Sequence, residues 1–169
     1  MPRRAVVAVL LVLVVAAGAG LYLFQPWKAF TDTTVNEALP VVSAPATAPE
    51  KDSGPMELTE GSFVTHDHDT SGTARTIRLA DGGQILRLED LRTSEGPDVR
   101  VYLSTRSARA AREGLGSGAV ELGGLKGNLG DQNYTVPADT DVSRFRSVVI
   151  WCERFSVSFG AADLSTVKS

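Results

Sequence analysis

The sequence predicts an all-β domain, an antiparallel β-sandwich or barrel-like fold, preceded by one transmembrane helix. Three observations carry this reading: an uncharged apolar run near the N-terminus, apolar/polar alternation of period two over most of residues 59–169, and turn-forming residues that break that alternation at short intervals. Helical patterning beyond the first run is confined to one short patch.

Residues Ala5 to Phe24, "AVVAVLLVLVVAAGAGLYLF", carry no charged side chain. As a helix, this run is long enough to cross a hydrocarbon core about 30 Å thick. Arg3 and Arg4 flank one end and Tyr22, Trp27 and Lys28 the other, which predicts a cytoplasmic N-terminus and an aromatic interface on the far side. A cleaved signal peptide is the competing reading, with Ala17-Gly18-Ala19 as the cleavage site. The apolar run exceeds the usual 7–15-residue signal core, which favours an uncleaved anchor. Residues 1–28 are therefore read as cytoplasmic tip and anchor, with residues 5–24 in the lipid bilayer. The expected location is the cell membrane, single-pass, with the C-terminal domain extracytoplasmic in the cell envelope.

Residues 29–58 contain Pro40, Pro45, Pro49 and Pro55 among Ala, Thr, Ser and Val. Such a composition buries too little apolar surface to offset the entropy of ordering, so a flexible linker is expected. Residues 59–169 then form one domain of ordinary size. Residues 1–28 hold three of the 17 basic residues and none of the 20 acidic ones, leaving 14 basic against 20 acidic, a net charge of −6, for the rest. That balance argues against a nucleic-acid partner.

Within the domain, "ARTIRL" and "QILRLEDL" alternate on either side of Asp81-Gly82-Gly83, a hairpin pattern. "DVRVYLS" sets Val99, Val101 and Leu103 against Arg100 and Tyr102, a half-buried strand. "SARAARE", residues 107–113, is the helical patch. Seven glycines between 114 and 130 follow it, including those of "LKGNLGD". A phosphate loop needs Gly-Lys-Ser/Thr opening a helix, and no helix-forming sequence follows Lys126, so nucleotide binding is rejected. "SVVIWC" is apolar on both faces, which predicts a central strand, and the approach of Glu153 to the buried face predicts a bend or bulge at Cys152-Glu153-Arg154 before Phe155, Val157 and Phe159 continue.

His68 in "HDTSG", "LRLEDL" followed by "GPDVRVYLS", then "LKGNLGDQNYTVP" and "VVIWCERFSVSFGAA", together spanning about residues 61–164, resemble the DM-thirteen domain family. The resemblance implies a β-rich extracytoplasmic domain with a redox or electron-transfer role proposed from a characteristic cysteine, matched here by Cys152. Relatives in animals sit beside DOMON domains and b-type cytochrome membrane domains. A redox partner protein of the envelope would then be a separate molecule.

Cys152 is the single cysteine of the chain. Three readings stand: a small apolar core residue, a redox-active thiol, or one half of an intermolecular disulfide. Trp151, His68, Tyr134 and Asp131 are the side chains expected near it in a redox site, Trp151 by stacking and Tyr134 and Asp131 by hydrogen bonding. As core Trp and strand Tyr they would need no such role. "THDHD" raises a metal site: His66 and His68 share a strand face at i, i+2 and, with Cys152, would ligate zinc or copper. A copper electron-transfer site also wants an axial ligand, for which Met1 and Met56 are badly placed. The competing reading is a solvated loop. No Cys-x-x-Cys-His marks a haem, and no Gly-x-Ser-x-Gly or other hydrolytic motif is present, so any cofactor is left unassigned and the chain is at most a redox protein as an enzyme. The alternative function is a non-catalytic binding or structural module of the envelope.

Overall fold

A computed structural model describes residues 3–40 and 54–167. Helix α1 (Arg3–Phe24) is followed by a 3-10 turn at Pro26–Phe30 and a short strand β1 (Thr34–Asn36). The domain then runs β2 (Met56–Thr65), β3 (Ser71–Arg78), β4 (Gln84–Arg92), β5 (Val99–Ser104), helix α2 (Ala108–Ala111), β6 (Val120–Gly124), β7 (Leu129–Val136), β8 (Ser147–Cys152), β9 (Val157–Asp163) and β10 (Ser165–Thr166). One ten-stranded sheet in the order β1-β7-β4-β3-β2-β9-β8-β5-β6, with β10 against β2, curls into a half-barrel.

The curl originates in β2. Its first part, Met56 to Ser62, pairs with β3, and its last residues, Phe63 to Thr65, pair with β9. One strand thus serves two sheet halves whose inner faces meet. Leu86, Leu88 and Leu91 from one half pack with Val101, Leu103, Val148 and Ile150 from the other, all almost wholly enclosed. Period-two alternation puts these residues inward, and burial of their apolar area supplies the driving force.

The expected hairpin stands as read: Leu79 and Gly83 close the turn, and Asp81 caps the Gly83 amide at 2.8 Å. The apolar outer face of β8 has its own cover. Val149 and Trp151 pack with Tyr102 and Ala161 beneath Ala108 and Ala111 of α2, so the helical patch and part of the glycine-rich loop exist to close the back of the sheet. This is why β8 is buried at all six positions.

Two expectations require correction. The bend at Cys152 is a full reversal: β8 stops there, Glu153 to Ser156 turn, with Ser156 at φ 52, and β9 returns antiparallel. The bulge lies instead at Ile150/Trp151. The second concerns the linker, since residues 31–39 lie on the domain as a strap. Thr34, Val35 and Asn36 pair in parallel with Leu129, Gly130 and Asp131. Gly127 and Gly130, the latter at φ 93, leave room for the strap; a Cβ at either would run into the Thr33 or Val35 carbonyl oxygen. Leu39 then covers Ile77, Leu79 and Ile85 on the outer face. The linker reading also covers residues 41–53, which lie outside the described residues.

Among the described residues, α1 is the one helix long and apolar enough to cross a membrane.

Candidate functional site

Cys152 ends the central strand β8, and its thiol faces inward with no exposed surface. Strand pairing sets Val99 across from it on one side and Val157 on the other. Val99, Phe159 and Cys152 belong to the same core cluster. Alternation sends the neighbouring Trp151 to the opposite face, into the cluster beneath α2. Cys152 and Trp151 are thus separated by the sheet itself.

The segment from His66 to Thr70 joins β2 to β3 and wraps the start of β9. The amides of His66 and His68 donate to the Phe159 carbonyl at 3.0 and 3.3 Å, and that of Asp67 donates to Ser158 at 3.1 Å. Thr70, buried, bonds its hydroxyl to the His68 carbonyl and to Thr93 Oγ1, both at 2.9 Å. The ring of His68 lies against Phe159, with centroids 3.8 Å apart, so His68 meets the core through that ring. His66 Nδ1 stands 2.7 Å from Ser158 Oγ, and Asp67 pairs with Arg112 at 3.1 Å. Burial holds the His66 imidazole below its usual value; Arg112 adds to the depression and Asp67 opposes it.

The expected metal trio is not assembled. His66 is engaged with Ser158, His68 is stacked on Phe159, and Cys152 points into the core; among the described residues no three His, Cys, Asp or Glu side chains form a group able to hold a metal. The strand spacing that suggested shared ligation does not persist, because β2 ends at Thr65 and the two histidines sit in the loop beyond it.

Tyr134 and Asp131 serve other ends. The Tyr134 hydroxyl donates to Gln132 Oε1 at 2.8 Å and accepts the Lys126 amide at 3.2 Å; burial pushes its pKa up to about 12, partly offset by that amide. Asp131 accepts from Arg87 Nη2 at 3.0 Å and from the Asp90 amide at 2.9 Å. Asn133 accepts from Arg87 and donates to the Ala38 carbonyl of the strap, so its side chain is spoken for within the fold.

Two clusters were not foreseen. Arg87, 7% exposed, bonds Glu89, Asp131, Asn133 and the Glu37 carbonyl. The Tyr102 hydroxyl sits between Glu153 Oε1 at 2.6 Å and Glu121 Oε2 at 3.1 Å; burial first, then the two carboxylates, raises its pKa. Alternation placed Tyr102 on a strand and Glu153 at the bend, whereas their meeting depends on the β5–β8 register and the turn after Cys152.

A thiol-bearing β half-barrel behind an apolar helix is the class of protein that fold and site define. Residues 62–164 match the family described as Electron transfer DM13, more than half of the chain, and the chain belongs to that family. Comparison with curated proteins and with solved structures returns no match.

Proposed function

We propose that this chain is a membrane-anchored, extracytoplasmic electron-transfer module whose redox-linked group is Cys152. The family description supports electron transfer, and α1 supports anchoring; the extracytoplasmic placement rests on Arg3 and Arg4 before the apolar run and on aromatic residues after it. The observation that carries the role of Cys152 is its position at the end of the central strand, one residue before an exposed four-residue turn. Disulfide formation takes two thiols and releases two electrons and two protons, so a chain with one cysteine needs a second molecule's thiol and an external oxidant. The enclosed sulfur meets that thiol only when the β8–β9 turn opens.

The test is electron transfer to and from the full chain before and after Cys152→Ser, with stability measured in parallel. Loss of transfer at unchanged fold supports the reading; unchanged transfer overturns the role of Cys152. A second reading, a structural or binding module with a core cysteine, is favoured by the complete burial of the thiol. It requires that Cys152 stay unreactive to maleimide over hours under native conditions and that Cys152→Ser affect stability alone.

A further inference from the structure

The strap decides which end of the domain looks at the lipid. We propose that the end of the half-barrel carrying Cys152 and the His66–Thr70 segment lies against the bilayer, with Phe155 seated among the lipid headgroups. This rests on the anchor reading of α1 and goes beyond it by orienting the domain.

The strand register supplies the orientation. The chain leaves α1 at Phe24 and enters β1 at Thr34, opposite Leu129. Leu129 pairs with Arg92, and Arg92 with Ser71, so the His66–Thr70 segment that precedes Ser71 lies at the same end. Thr65 pairs with Gly160 at the middle of β9, the amides of His66, Asp67 and His68 then reach Phe159 and Ser158 nearer its start, and Cys152 pairs with its first residue, Val157. Thr34, the His66–Thr70 segment, Cys152 and the Glu153–Ser156 turn therefore share one end. Met56, Arg78, Gln84 and Val136 define the other.

The reach is short. Residues 25 to 33 separate the helix from β1, the paired part of the strap, and five of them form the 3-10 turn. At about 2 Å per residue in that turn and about 3.4 Å elsewhere, the free span is about 25 Å. The pinned strap removes the remaining linker from the tether, so the domain stays close to the surface.

The contacts at this end suit lipid. Phe155 at the tip of the β8–β9 turn is 50% exposed, and its ring stacks on Phe24 at the end of the apolar helix, centroids 6.1 Å apart. Trp27, 51% exposed, and Lys28 stand beside them in the chain, the residue types that settle at the headgroup level. Lys28 also lines a polar cavity of about 370 Å³ with Glu95, Asp98, Lys126 and Asn128, and this cavity opens at the same end, next to Val99.

The test is tryptophan emission of the full chain in nanodiscs of phosphatidylcholine with brominated acyl chains, each variant read as its difference from the parent. Phe155→Trp is placed at an exposed turn position, Ala138→Trp at the opposite end and Leu13→Trp in the middle of α1. The expected result is strong quenching at 13, quenching at 155 several-fold above that at 138, and little at 138. Quenching at 13 with 155 no different from 138 overturns the orientation while leaving the anchor standing. Absence of quenching at 13 overturns the anchor reading, and the orientation with it.

Discussion

The guanidinium of Arg87, on β4, donates to the main-chain carbonyl of Glu37, 3.0 Å away and fifty positions earlier in the chain. A buried cation on the outer face of the sheet is thus satisfied by the strap. Glu37 returns the connection through its own side chain, which takes Lys126 Nζ at 2.8 Å and the Asn133 amide at 2.7 Å.

Removing Arg87 leaves Asp131 and Glu89 without their shared cation and the Glu37 carbonyl without its donor. Because Glu89 and Asp131 are about 30% exposed and keep Arg75 and the Asp90 amide as partners, Arg87→Met is expected to cost about 1–3 kcal/mol. Urea unfolding measures it; a change within half a kcal/mol would show that the cluster contributes nothing net.

Gly130→Ala attacks the strap from the other side, by strain at φ 93 and by collision with Val35. The variant should keep the core and lose the strap. Hydrogen exchange is the readout: the amides of Glu37 and Leu129, bonded to Asp131 and Thr33 across the junction, should lose protection while those of β8 keep it.

Trp151→Ala empties the cluster under α2 and is expected to cost about 3–5 kcal/mol. Cys152→Ser buries a hydroxyl among Val148, Ile150 and Phe159, costing about 1–3 kcal/mol. The two residues lie on opposite faces, so the double variant should be close to additive in thermal or urea unfolding. Strong coupling would refute the separation by the sheet.

Acid should act in two windows. His66 titrates below its usual value of 6.5 when folded, so the unfolded chain binds the proton more readily and stability declines as pH falls from about 6.5 through the lowered value. Glu37 is held below 4.5, chiefly by its hydrogen bond to Lys126; its contribution is present above pH 4.5 and is lost as pH falls through the lower folded value. Urea midpoints from pH 8 to 5 should flatten in His66→Gln, and strap protection should vanish only below 4.5. An unaltered pH profile in His66→Gln would remove the first window.

Alternation made much of this legible. Val148, Ile150 and Cys152 against Val149 and Trp151 revealed a central strand, and the two clusters on its faces are the reason. Asp81-Gly82-Gly83 revealed a hairpin through local turn chemistry. Thr34–Asn36 was hidden because its partner lies 95 residues away and its pairing depends on glycines in another segment rather than on its own composition. The reversal after Cys152 was hidden because Glu153 and Arg154 read equally well as a bulge. The face taken by Cys152 was legible, whereas the side chains that surround it were not, since strand parity shows which face a side chain takes and says nothing of which loop crosses it.

The strap also has a history in time. It leaves the ribosome long before Leu129 exists to receive it, and a contact of such sequence separation closes late. Until then the outer edge of β7 presents unpaired amides and carbonyls, and Arg87 lacks one acceptor. The strap is joined to the domain by the chain itself and so meets the edge of β7 at high local concentration, before a neighbouring molecule can add a strand to β7.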